Sequence, residues 1–87
     1  MKIDYDPAKD ATNRGKHELS LAEAADFDFE AAVVLVDDRF DYGETRYRAF
    51  TRVGEDGYCL AFTLTGETLR PISYRRAHDK ELRRYGL

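Results

Sequence analysis

The 87-residue sequence predicts an α+β fold in the order β-α-α-β-β-β-β-α, with an antiparallel sheet covered by helices on one side. Three observations carry that expectation. Two helix-start signals, Asp6-Pro7 and the capping box Ser20-Leu21-Ala22-Glu23, stand close together in the first third of the chain. From Val33 to Tyr74 the residues follow a strand rhythm, interrupted by turn clusters at 37–43, 54–57 and 66–67. Beyond Ala77 the spacing becomes helical, with Leu82 and Tyr85 three apart on one face.

Taken in order, Lys2 to Tyr5 reads as a short first strand. Asp6 caps a helix with Pro7 at its first position, where a missing N–H costs nothing, and Gly15 is placed to end it. Ser20 opens a second helix through Ala24, Ala25 and Phe27. Val33-Val34-Leu35-Val36 is β-branched and reads as a buried strand. Asp37 to Gly43 is a polar turn region. Thr45 to Val53 alternates, with Arg46, Arg48, Phe50 and Arg52 on one face and Tyr47, Ala49, Thr51 and Val53 on the other. Gly54-Glu55-Asp56-Gly57 joins it to Tyr58–Thr65, and Gly66-Glu67 turns into Thr68–Tyr74. Pro71 cannot donate to a ladder, so that last strand is an edge or carries a bulge. A cationic helix closes the chain.

One modest core suits this length, so residues 1–87 form a single domain. Hydrophobic content of 43% and charged content of 36% describe a folded domain rather than a disordered segment. The start, Met1-Lys2-Ile3-Asp4, has no apolar signal core, and the longest apolar run, Ala31 to Val36, is too short to cross a bilayer. A lone cysteine, Cys59 between Tyr58 and Leu60, excludes a disulfide framework and points to packing in a reducing compartment, the cytoplasm. Charge is unevenly placed. Residues 1–44 hold 12 acids against 5 Lys/Arg, a net of −7; the remainder hold 5 against 9, a net of +4, and together these give −3. The basic second half can present a phosphate-attracting face.

Three groups carry candidate chemistry. Lys16-His17 sits between the two early helices, where a histidine can act as general acid or base or merely pack. Glu44 and Arg46 lie two apart, suited to proton transfer and phosphate binding or to a surface pair of little worth. Ser73, Arg75 and Arg76, followed by Glu81 and Tyr85, place guanidinium forks where a strand hands over to a helix. The competing reading is a solvated helix whose end carries cations favourable to its dipole. His17 and His78 stand alone, the aspartates at 37, 38 and 41 lack the rest of an EF-hand, and there is no Walker loop or nucleophile elbow. No metal or cofactor is called for. Catalysis would then rest on side-chain cations, carboxylates, His and Tyr.

The set Tyr5-Asp6-Pro7-x-Lys9, Asn13, Lys16-His17, Ser20-x-x-Glu23-Ala24, Gly43-Glu44-x-Arg46 and Ile72-Ser73-x-Arg75-Arg76-Ala77, with Glu81 and Tyr85, resembles the BrnT toxins over almost the whole chain. Tyr5, Glu18 and Pro71 depart from the family pattern, at a packing position, beside His17 and in the final strand. The resemblance implies a RelE-like ribonuclease fold and the toxin of a type II toxin–antitoxin pair. It also implies a ribbon-helix-helix antitoxin and contact with operator DNA only through the complex. An RNA substrate supplies its own 2′-OH nucleophile, so base, acid and charge stabilisation suffice. On that footing Arg46, Arg75 and Arg76 bind the phosphate, Glu44, His17 or Glu81 is the base, and Tyr85 or His17 the proton donor. Lys16, Arg48, Lys80 and Arg83 would hold RNA beyond the reacting centre. A rival reading is a degenerate homologue whose basic face only engages protein or DNA.

Overall fold

The structure, a computed structural model, describes residues 1–87. Its elements are β1 (Lys2–Ile3), α1 (Pro7–His17), a 3₁₀ helix (Leu21–Asp26), β2 (Val33–Asp37), β3 (Arg46–Val53), β4 (Asp56–Thr65), β5 (Thr68–Ala77) and α2 (Asp79–Arg84). The expected order therefore holds, with the second helix tightened to 3₁₀. The five strands form one sheet in the order β1-β5-β4-β3-β2. The sheet is mixed rather than wholly antiparallel: β2, β3, β4 and β5 pair antiparallel, but β1 runs parallel to the start of β5. Two paired residues carry no pattern from which a sequence reading could assign direction.

Helices cover both faces of the sheet, not one. Leu21 and Ala24 of the 3₁₀ helix pack with Ala49, Leu60, Phe62, Leu69 and Tyr74 on the first face. On the opposite face Leu82 of α2 packs against Phe50 and Cys59. Phe50, alternating with three arginines along β3, is the residue that α2 covers. Gly57 lies within β4, and the two-residue turn before it is Gly54-Glu55. A Cβ at Gly57 would meet Leu82 Cδ1 at 2.3 Å, so the missing side chain is what lets α2 reach the sheet.

Three local expectations are revised. As the edge strand, β2 is buried on neither side throughout: Val34 and Val36 are exposed, because the helices of the first face stop short of it. α1 runs past Gly15 to His17 and ends at Glu18, whose backbone is left-handed at φ 61°. Pro71 is accommodated by a bulge: Ala61 pairs with Ser73 and Phe62 with Pro71, leaving Ile72 as the extra residue. That bulge returns Tyr74 to the core face and sends Arg75 to the other. No helix is long and apolar enough to cross a membrane.

α1 is fastened by polar groups. Its buried residues are Asp10 and Asn13. Asp10 accepts from Ser20 Oγ (3.0 Å) and the Leu21 N–H (2.7 Å), tying α1 to the 3₁₀ helix. Asn13 accepts from the Tyr74 N–H (3.0 Å) and donates to the carbonyls of Tyr74 (2.9 Å) and Leu19 (2.7 Å). It takes the place of a neighbouring strand along the free edge of β5.

Glu18 holds a conformation that costs an L-residue about 1–2 kcal/mol and glycine nothing comparable. Glu18→Gly is expected to stabilise the fold by about 1 kcal/mol, the relieved strain being partly offset because glycine also frees the unfolded chain. Thermal unfolding should show a midpoint raised by about 4 °C or more. An unchanged or lowered midpoint would mean that the exposed Glu18 side chain makes up for its own backbone strain.

Candidate functional site

The face of the sheet opposite the 3₁₀ helix is a trough with small residues on its floor and arginines on its walls. Its floor is β4, which presents Gly57, Cys59, Ala61 and Thr63 there, by alternation from the core-facing Leu60 and Phe62. β3 raises Arg46, Arg48 and Phe50 on one side, and β5 raises Ser73 and Arg75 on the other. Arg48 pairs with Ala61, which pairs with Ser73, while Phe50, Cys59 and Arg75 form the next row of that face. From strand spacing and rise, the Cα atoms of Arg48 and Arg75 stand about 12 Å apart, so two long side chains can converge on one phosphodiester. α2 closes one end of the trough, where Tyr85 packs tilted against Phe50 with ring centroids 4.7 Å apart.

The arginines differ in what already holds them. Arg75 is chelated by Glu81 through contacts of 2.9 and 2.8 Å and donates to the Arg76 carbonyl at 3.1 Å. Those hydrogen bonds, with the His78 N–H adding a further one, hold the Glu81 carboxyl down at about 2. The same bond to Glu81 raises Arg75 further above the ordinary range, so it is permanently charged. Arg46 lies over the Tyr42 ring at 4.0 Å and 3.6 Å from Glu44. Arg48 makes no ion pair with any carboxylate of the chain. Its guanidinium sits 5.5 Å from the Phe50 ring, and its Nε, like that of Arg46, is buried with no hydrogen-bond partner. At the floor, burial pushes the Cys59 thiol up; Arg75 pulls it down, Glu81 adds to the rise, and Arg48 and Arg39 pull it down more weakly. A thiol so placed is a packing residue.

Along the free edge of β5 the trough opens into a cleft of about 590 Å³ lined by Lys16, His17, Arg75, Arg76, His78 and Glu81. It adjoins a second cleft of about 370 Å³, which shares Lys16 and His17 and adds Lys9, Thr12 and Asn13 of α1. Of the residues singled out in the sequence, His17, Arg75, Arg76 and Glu81 are thus brought together, with Lys16 beside them. Tyr85 lies across the trough over β3. Glu44 and Arg46 stand apart, at the far end of β3. Arg76 points to the other face from Arg75, pairs with Asp56 and lies 5.3 Å from the Tyr58 ring, reaching the cleft only from its rim. Lys80 and Arg83 are exposed on α2, away from the cleft lining.

Sequence reasoning missed the role of the β2–β3 loop. Asp37 is buried and accepts from Arg39 at 2.8 and 2.9 Å and from the Tyr42 hydroxyl at 3.1 Å. The Arg39 bonds hold Asp37 well below the usual carboxylate range. This unit fixes Tyr42 beneath Arg46. The signal was the alternation of charge and aromatic ring in Arg39-Phe40-Asp41-Tyr42, which reads locally as nothing more than a polar turn. No cluster of three His, Cys, Asp or Glu side chains is placed to hold a metal ion.

The family described as "Ribonuclease toxin, BrnT, of type II toxin-antitoxin system" matches residues 5–81, which include every candidate except Arg83 and Tyr85. The crystal structure of the Brucella abortus ribonuclease toxin BrnT matches with a TM-score of 0.70 at 31% identity, covering 91% of this chain and 99% of that one. No curated protein matches. With a family match across most of its length and a structural relative of the same kind, the chain belongs to the BrnT family of type II toxin–antitoxin toxins.

Proposed function

We propose that this protein is an endoribonuclease toxin that cleaves RNA without a metal, through a 2′,3′-cyclic phosphate, in the cytoplasm. The observation that carries the reading is Arg48: a half-buried guanidinium, without a carboxylate partner, facing Arg75 across a floor of small side chains. An unneutralised cation held in partial burial is poised for an anion, and fixed donors aimed at developing charge are the largest contribution in this kind of chemistry. Arg48 and Arg75 take the scissile phosphate, with Arg46 and Arg76 at the rims.

Arg75 lies between His17 on the strand-edge side and Tyr85 over β3. An in-line displacement needs its base and its acid on opposite sides of the phosphorus. His17 therefore takes the proton of the 2′-OH, and Tyr85 supplies one to the departing 5′ oxygen. Glu81, held at about 2, is a poor base at neutral pH and acts as the positioning residue for Arg75. Glu44 is too far along β3 to share a phosphate with His17. Family membership supports an antitoxin partner; we propose that it is of the ribbon-helix-helix type, covers the basic trough and brings the pair to operator DNA.

The test is purified protein, free of antitoxin, incubated with RNA in EDTA. Cleavage should persist and leave 2′,3′-cyclic or 3′-phosphate ends. Activity that disappears with chelator and returns with magnesium would overturn the metal-free mechanism. Binding without cleavage under every condition would favour a degenerate toxin that only engages its partners.

A further inference from the structure

The two clefts beside β5 share Lys16 and His17 and lead away from the trough, and their two lysines make no ion pair. Lys9 and Lys16 lie seven residues apart in α1, nearly two turns, so both face the same side of the helix, about 10 Å apart along its axis. Each lines a cleft and neither makes an ion pair. The one carboxylate in the combined lining, Glu81, is already neutralised by Arg75. The cleft at the trough end is lined wholly by polar side chains. The neighbouring cleft adds only Ala8 and Ile72 as apolar lining, so the groove as a whole favours a polyanion.

Resting on the ribonuclease reading above, we infer that this groove is a path for single-stranded RNA, with Lys9 and Lys16 contacting phosphates that flank the scissile one. Its volume argues for one strand. Clefts of about 300–1,000 Å³ hold small-ligand-sized groups, which here means a nucleotide or two at a time and not a duplex. The free edge of β5 shapes the groove. β1 covers only the start of that strand, Asn13 satisfies Tyr74, and the clefts run along the rest. The enzyme therefore needs substrate on both sides of the cut, and a minimal dinucleotide engages the trough alone.

The experiment measures binding of two non-cleavable 2′-O-methyl oligonucleotides, a dinucleotide and a single strand of about ten residues, as salt is varied. For Lys9→Ala/Lys16→Ala, affinity for the longer strand should fall on the order of tenfold. Its salt dependence should flatten by about 1.4 in slope, the loss of two single-strand phosphate contacts. Dinucleotide affinity should fall much less, and Lys9→Arg/Lys16→Arg should restore the longer strand. Equal loss for both lengths, or an unaltered slope, overturns the path while leaving the ribonuclease reading intact. So does a double variant that keeps its RNA slope but loses antitoxin, which would make the groove a protein-docking site. If the wild-type protein binds neither oligonucleotide, both readings fall.

Discussion

Arg48→Ala is expected to lower RNA cleavage about a hundredfold, the usual cost of removing one positioned donor to transition-state charge, roughly 3 kcal/mol. Stability should not fall with it. Arg48 forms no ion pair, its Nε is unsatisfied, and its recorded neighbour is the Phe50 ring at 5.5 Å. Removing a cation that no carboxylate of the chain partners costs no ion pair, as is common where a site trades stability for function. Arg46→Ala should cost less, because Glu44 and the Tyr42 ring already engage that guanidinium. Arg48→Lys should recover little, since a point charge lacks the planar fork. The measurement is initial cleavage rate in EDTA beside thermal unfolding of each variant. An Arg48→Ala protein as active as wild type and equally stable would remove Arg48 from the phosphate site.

The second large effect lies in stability. Asn13→Ala deletes three hydrogen bonds and leaves the Tyr74 N–H and carbonyl and the Leu19 carbonyl without their partner. Stranded buried polar groups cost about 1–3 kcal/mol each, so a loss of about 3 kcal/mol is expected, a large share of a typical 5–15. The unfolding midpoint should drop by roughly 12 °C or more. Asn13→Asp should do no better, because it turns an acceptor toward two carbonyl oxygens. Thr12→Ala, one residue away, removes only a bond to the Ala8 carbonyl at an exposed position and should stay within about 0.5 kcal/mol. If Asn13→Ala unfolded at the wild-type temperature, α1 would have to be held by contacts other than this amide.

The sequence by itself determined the order of elements, because each rests on local physics: Asp6 and Ser20 cap, Gly54 and Gly66 turn with positive φ, and β3 and β4 alternate. It also marked the basic second half and the residues at 17, 75, 76 and 81 that the fold gathers along one edge. Charge sign and residue type need no coordinates.

Tertiary structure decided what each group is free to do. Arg48 and Arg46 share one strand face, and the Glu44 two residues before Arg46 made Arg46 the more prominent of the two in the sequence. Only packing shows that one has Glu44 and Tyr42 while the other has no acidic partner. Glu81 reads as a possible base until Arg75 closes on it. Gly57 reads as a turn until Leu82 occupies the space above it. Asn13 and Asp10 are invisible to hydrophobic periodicity, because they hold α1 by hydrogen bonds to residues 61 and 11 positions away. Capping and alternation act between near neighbours, so they are written in local sequence. Pairing, burial and neutralisation depend on which distant residue arrives, and only the folded chain settles that.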